Sequence, residues 1–118
     1  MVRLRPRYKV WFETEEGYVL GPGTFNLLKM IERKGSLRLA AESLGMSYRY
    51  AWGLLKKVER HIGRPILRTF KGGSHGGGGA TLTEEGRWLL EEYSKIMEAF
   101  SKISEEYEKT VGIKGGGT

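Results

Sequence analysis

Between residues 36 and 62 apolar side chains recur at three- and four-residue steps, interrupted once at Leu44-Gly45-Met46. That spacing predicts two helices joined by a tight turn. In the second, Ser47 to about Ile62, a rotation of about 100° per residue places Ala51, Leu55, Val58 and Ile62 in one apolar stripe. Arg49, Gly53, Lys56 and Arg60 fall opposite it. In the first, Leu37, Ala40, Ala41 and Leu44 form an apolar side whose alanines let another helix approach closely. Ser36 and Ser47 are suited to cap the two helices, since a serine hydroxyl accepts from an amide that the first turn leaves unpaired. Gly45 is suited to the left-handed conformation that closes the first.

The flanking pattern completes the plan. Arg7 to Glu13 and Tyr18 to Leu20 are rich in aromatic and β-branched residues and are separated by Thr14-Glu15-Glu16-Gly17, which predicts a β-hairpin. After Gly21-Pro22-Gly23, Thr24 is expected to cap a helix to about Lys34, with Phe25, Leu27, Leu28 and Ile31 turned inward. Pro65 marks the end of the Ser47 helix, because it disfavours helical geometry at the residue before it. Ile66 to Phe70 and Ala80 to Leu82 are short strands around Lys71 to Gly79, a loop of mostly glycine. Thr83 then caps a helix to roughly Thr110, with Glu84 and Glu85 at the positive end of its dipole.

This order predicts a mostly α, α+β fold: a winged helix-turn-helix with an N-terminal β-hairpin and a long C-terminal helix. Residues 1–82 are expected to form the winged domain, 83–111 the helix and 112–118 a disordered tail. Leu89, Tyr93, Ile96, Met97, Phe100, Ile103 and Tyr107 recur along almost five turns of that helix. The stripe is long for one small domain to cover, so these residues are the candidate dimer interface.

Charge changes the picture by its distribution. The chain has 118 residues and a formal net charge of +6, but residues 24 to 70 carry ten basic and three acidic side chains while residues 83 to 118 carry five and eight. Positive charge thus gathers on the two-helix unit, where an anionic partner is expected. There is no Cys, which removes disulfides and thiolate chemistry, and no apolar run reaches the ~18 residues of a membrane span. A cytoplasmic, membrane-free protein is expected. All fourteen acids are Glu, Gln is absent and Asn26 is the only Asn, a composition compatible with a thermophilic source.

Catalysis finds little material. His61 and His75 are the only histidines, in no metal-ligand spacing, and no Asp exists to orient either. Neither enzyme activity, a bound metal nor a cofactor is expected. The glycine-rich loop opens no helix and lacks a following Lys-Ser or Lys-Thr, so it is not a nucleotide cradle.

Double-stranded DNA is the expected partner. A helix N-terminus aims amides at phosphate, and Arg49 is placed either to pair with guanine in the major groove or to hold a phosphate. The candidate DNA-contacting set is Ser36, Arg38, Ser47, Tyr48, Arg49, Tyr50, Trp52, Gly53, Lys56 and Lys57, with Lys71, Ser74 and His75 in the loop. Tyr48 and Trp52 lie on a flank where core packing competes with DNA contact.

The segment GSLRLAAESLGMSYRYAWGLLKKVERHIGRPIL, followed by GGSHGGGGATLTEEG, resembles the N-terminal DNA-binding domain of ModE-type molybdate-responsive regulators, itself similar to the LysR-type winged helix. Met46-Ser47-Tyr48-Arg49, Ala51-Trp52 and the glycine run before Ala80-Thr81-Leu82-Thr83 carry the resemblance most specifically. It implies a homodimer, joined through the long helix, that binds a palindromic operator as a sequence-specific transcription regulator. Because family members continue into a molybdate-binding module, the chain is expected to lack that module. A non-specific architectural DNA-binding protein and a protein-interaction adaptor are the competing readings.

Overall fold

The computed structural model describes residues 3–71 and 78–115, with side chains through residue 108. In chain order the elements are β1 (Phe12–Thr14), β2 (Gly17–Leu20), α1 (Pro22–Lys34), α2 (Leu37–Ser43), α3 (Tyr48–Ile62), β3 (Leu67–Phe70), β4 (Gly79–Leu82) and α4 (Glu84–Gly115). β1 and β2 form one antiparallel two-stranded sheet, and β3 and β4 another. This is the winged helix-turn-helix expected, with α1, α2 and α3 around one core and β3–β4 as the wing.

The core follows the helical periodicities. Leu27, Leu28 and Ile31 from α1, Leu37, Ala40 and Ala41 from α2, and Ala51, Leu55 and Val58 from α3 are buried together. Ala40 and Ala41 permit the close approach of α1 and α3, since a larger side chain there would hold the helices apart. Ser36 Oγ accepts from Leu39 N at 3.2 Å and Ser47 Oγ from Tyr50 N at 3.0 Å, so both expected caps form. Between them Gly45 adopts φ 69°. Met46 N then donates to Ala41 O at 2.9 Å, which folds the turn back on α2. Only a residue tolerant of the left-handed region closes a helix in this way.

Several boundaries differ from expectation, each for a local reason. α1 starts at Pro22, with Gly21 rather than Thr24 at the cap position. Proline fits the first helical position because its missing N–H would have no partner there, and Thr24 is buried within the first turn. The first strand is confined to Phe12–Thr14, with a register irregularity after Phe12. The residues before it are taken by α4: Tyr93 Oη donates to Val10 O at 2.6 Å, Tyr8 stacks on Phe100 with centroids 5.3 Å apart, and Ser104 Oγ donates to Pro6 O at 3.2 Å. Arg5 Nε lies 3.1 Å from Glu108 Oε1. Residues 3–11 are thus an extended strap running antiparallel to α4, which the sequence pattern did not reveal. α4 itself continues beyond Thr110, to Gly115, so the helix includes residues 112–115 of the expected tail. Residues 116–118 lie outside the described residues.

Leu89 and Tyr93, expected in a dimer seam, belong to the protomer's own core. They are 3% and 1% exposed, and Phe25 stacks on Tyr93 with centroids 4.2 Å apart. The first part of α4 has the winged domain beside it, so its inward stripe is covered from within the chain. Burial raises the Tyr93 phenol above its usual range, with a smaller contribution from Tyr18. Above about pH 10 an unfolded chain would ionise this phenol before the folded one, so the stability Tyr93 contributes is complete below that pH and declines as pH rises.

The start of α4 is packed too closely for a side chain at Gly86. Thr83 Oγ1 accepts from Gly86 N at 3.1 Å and donates to Pro65 O at 2.8 Å. A Cβ at Gly86 would overlap the Ile66 carbonyl oxygen. Ala favours a helix over Gly by about 1 kcal/mol, but overpacking costs about 1–3 kcal/mol. Gly86→Ala is therefore expected to lower stability in chemical denaturation. Equal or greater stability would show that the junction yields freely.

Candidate nucleic-acid interface

α3 presents its surface opposite the core as a row of exposed side chains. Arg49, Gly53, Lys56 and Arg60 are exposed, as are Tyr48, Tyr50 and Trp52. Their burial matches the helix rotation: the core stripe of Ala51, Leu55 and Val58 holds α3 down, so the basic side points outward. Among the described residues no ion pair engages Arg49 or Arg60.

The flank containing Tyr48 and Trp52 is ordered by contacts of its own. The Arg38 guanidinium carbon lies 5.4 Å from the Tyr48 ring centroid. The Tyr48 and Trp52 rings are within 6° of parallel with centroids 6.4 Å apart, and Lys56 Nζ is 4.7 Å from the Trp52 centroid. Lys56 Nζ also lies 3.2 Å from Glu59 Oε1, while Glu59 Oε2 accepts from Ile66 N at 2.9 Å. Residues 48, 52 and 56 are one helical turn apart, so the aromatics and the cation stack along one stripe. Each exposed cation–π contact contributes about 0.5–1 kcal/mol. Tyr48 and Trp52 are 49% and 37% exposed, which answers the competition between core and surface in favour of the surface.

The remaining candidates divide. Ser36 and Arg38 line an open cleft of about 690 Å³ with Tyr48, Lys71 and the wing base. Ser36 Oγ is engaged in capping, whereas Arg38 and Lys71 are exposed. Lys57 does not join the outward row: its Nζ sits 4.7 Å over the Tyr18 ring of β2. At 100° per residue Lys57 is turned beyond Gly53 toward the hairpin, and the hairpin's aromatic side chain is within its reach. Ser74 and His75 lie outside the described residues. Sequence reasoning missed Glu59, which anchors the stripe to the wing, and Phe70, 50% exposed beside the cleft. The three-residue step from Lys56 to Glu59 was the available signal for the first.

Residues 24–87 match the model of the bacterial regulatory helix-turn-helix protein, lysR family. The chain belongs to that family. This LysR-type domain is 33% identical over 78 residues to a protein named molybdenum transport protein ModE of Azotobacter vinelandii, covering 66% of this chain and 28% of that protein. It is 32% identical over 97 residues to a molybdenum-pterin-binding protein MopB of Rhodobacter capsulatus, covering 82% and 36%. It therefore spans only about a third of such relatives. The LysR-type fold recurs in a crystal structure of the CbnR DNA-binding domain with DNA, with TM-score 0.57 and 20% identity over 75% of this chain and 95% of that one. ArgP from Mycobacterium tuberculosis has TM-score 0.55 and 19% identity over 73% of this chain and 30% of that one.

Gly53 is the least expected member of the outward row. It is exposed in mid-helix, and a Cβ there would meet nothing within 4 Å. Nothing in the packing of the protomer requires glycine, which costs a helix roughly 0.5–1 kcal/mol relative to alanine. Gly53→Ala is expected to stabilise the protein by about that amount in thermal or chemical unfolding while weakening binding to duplex DNA. Loss of stability would show a packing role for the glycine, and unchanged DNA affinity would show that the duplex does not come close to the backbone at this position.

Proposed function

We propose that this chain is a homodimeric, sequence-specific DNA-binding transcription regulator acting in the cytoplasm, with α3 as the helix that enters the major groove. The observation that carries the reading is the outward row of α3, in which Arg49 and Arg60 stand exposed and no core role explains Gly53, with the Arg38–Lys71 cleft at the Tyr48 end of the helix. Arg49, in the first turn, reaches base edges, where a bidentate pair to guanine is worth about 1–3 kcal/mol of discrimination. Arg60, farther along α3, and Lys71, just past the end of β3, hold phosphates. The names of the relatives, which concern molybdenum and transcriptional regulation, accord with a regulator. The reading concerns DNA recognition and pairing and assigns no effector.

Pairing rests on α4. Leu89, Tyr93, Ile96, Phe100, Ile103 and Tyr107 alternate steps of four and three, a heptad seam of the kind that joins helices. The protomer covers the first two, whereas Ile96, Phe100, Ile103 and Tyr107 remain 39%, 41%, 61% and 46% exposed. Met97 is half-buried against the core and lies beside the seam. A second copy packed on the four exposed positions would bury apolar surface at about 25 cal/mol per Å². It would also supply the second reading helix, separated from the first by about 34 Å or a multiple of it along a palindrome.

Fluorescence anisotropy with duplex DNA from upstream of the chain's own gene is expected to show tighter binding than a matched random duplex. The logarithm of affinity should fall with the logarithm of salt by about 0.9 per phosphate contact. Arg49→Ala should erode the preference for the native duplex by about tenfold or more, following the discrimination of a base contact. Equal affinity for both duplexes in the wild type would favour the architectural reading and end the regulator one. Phe100→Glu places a charge in the seam, so light scattering should show a monomer with much weaker operator binding. An unchanged mass would refute the seam.

A further inference from the structure

We infer that Glu59 and Trp52 make Lys56 a specificity-determining residue by holding its ammonium at one place on the recognition helix. The inference rests on the DNA-binding reading and deepens it.

Of the cations on the outward side of α3, Lys56 alone is held by an acid among the described residues. Its Nζ has Glu59 Oε1 at 3.2 Å and the Trp52 ring centroid at 4.7 Å. The acid is itself fixed, because its other oxygen accepts from Ile66 N at 2.9 Å where the wing begins. Trp52 is fixed by its stack on Tyr48, which in turn lies beneath the Arg38 guanidinium. A lysine normally sweeps a wide volume on its four-carbon stem and finds whichever phosphate is nearest, which supports affinity for any sequence. Confined between an anchored carboxylate and an anchored ring, Lys56 meets only the acceptor that DNA presents at that one position. Glu59 also cancels much of its long-range attraction. A carboxylate on the DNA-reading helix opposes binding in general, and the bond to Ile66 N needs an acceptor there but not a charge, so what the charge adds on this side is discrimination rather than affinity.

Glu59→Gln tests this, since the amide oxygen can still accept from Ile66 N while the charge that holds Lys56 is gone. Binding of the folded dimer to its operator and to a random duplex is measured across a salt series for the wild type, Glu59→Gln, Lys56→Gln and the double variant. The freed lysine should gain one phosphate on any sequence, steepening the random-duplex slope by about 0.9 and raising its affinity about fivefold at 0.15 M salt. Operator affinity should change less, so the operator-to-random ratio falls several-fold. Adding Lys56→Gln should cancel the random-duplex gain. An unchanged ratio and slope in folded Glu59→Gln overturn the inference, as does an equal loss on both duplexes accompanied by lower thermal stability, which would make Glu59 a structural tie only. If the wild type itself shows no operator preference, the regulator reading has failed, and this inference with it.

Discussion

The peptide groups of Ile66 join the parts of this molecule that face outward in different directions. Its N–H donates to Glu59 of α3 and its carbonyl oxygen accepts from Thr83 N at 3.1 Å, where α4 begins. Its side chain is fully buried in the core. A buried peptide without such partners would be costly, so the chain here has little freedom to choose another path. The end of α3, the first strand of the wing and the first turn of α4 are consequently set relative to one another. Thr83 tightens the same point by bonding both Pro65 O and Gly86 N. On the other side of the wing Ala80 N donates to Gly35 O at 2.9 Å, tying β4 to the turn between α1 and α2.

Beyond that junction α4 carries one apolar stripe with two different surroundings. Near its start the a and d positions, Leu89 and Tyr93, are closed by Phe25 and the domain core. Farther out the same register continues, and among the described residues it is the strap from Arg3 to Val10 that lies along it. Tyr8 covers part of Phe100 by stacking, while Ile103 remains the most exposed apolar position of the series. A single helix of 32 residues carries the register outward. In the proposed dimer the geometry of the partner is therefore dictated by the same helix that packs against the reading domain.

The helices, caps and core stripes were legible because each rests on contacts between residues close in sequence. Ser36, Ser47, Gly45 and the three- and four-residue spacing of α3 required no knowledge of the rest of the chain. What was illegible depended on long-range partners. The strap is held by pairs such as Val10 with Tyr93 and Pro6 with Ser104, and its alternating sequence is equally suited to the longer first strand that was expected. Leu89 and Tyr93 were placed in the seam because periodicity gives the side of a helix and not what covers it. Lys57 was assigned to DNA by its charge, and only the position of Tyr18 on a separate hairpin shows where it is held.

Formal charge is consequently a poor measure of what α3 offers to an anion. Of Arg49, Lys56, Lys57 and Arg60, Lys56 is matched by Glu59 and Lys57 is turned onto an aromatic ring, leaving the two arginines as the exposed cations without an ion pair among the described residues. Arginine presents a planar fork suited to paired acceptors, while lysine is a mobile point charge unless constrained. The side chain best suited to unselective attraction is thus the one the fold restrains on this face. Both restraints act on its charge, the Trp52 ring through its π face and Glu59 through a carboxylate pairing that salt screens. The hold on Lys56 therefore loosens as ionic strength rises and its pairing with Glu59 is screened.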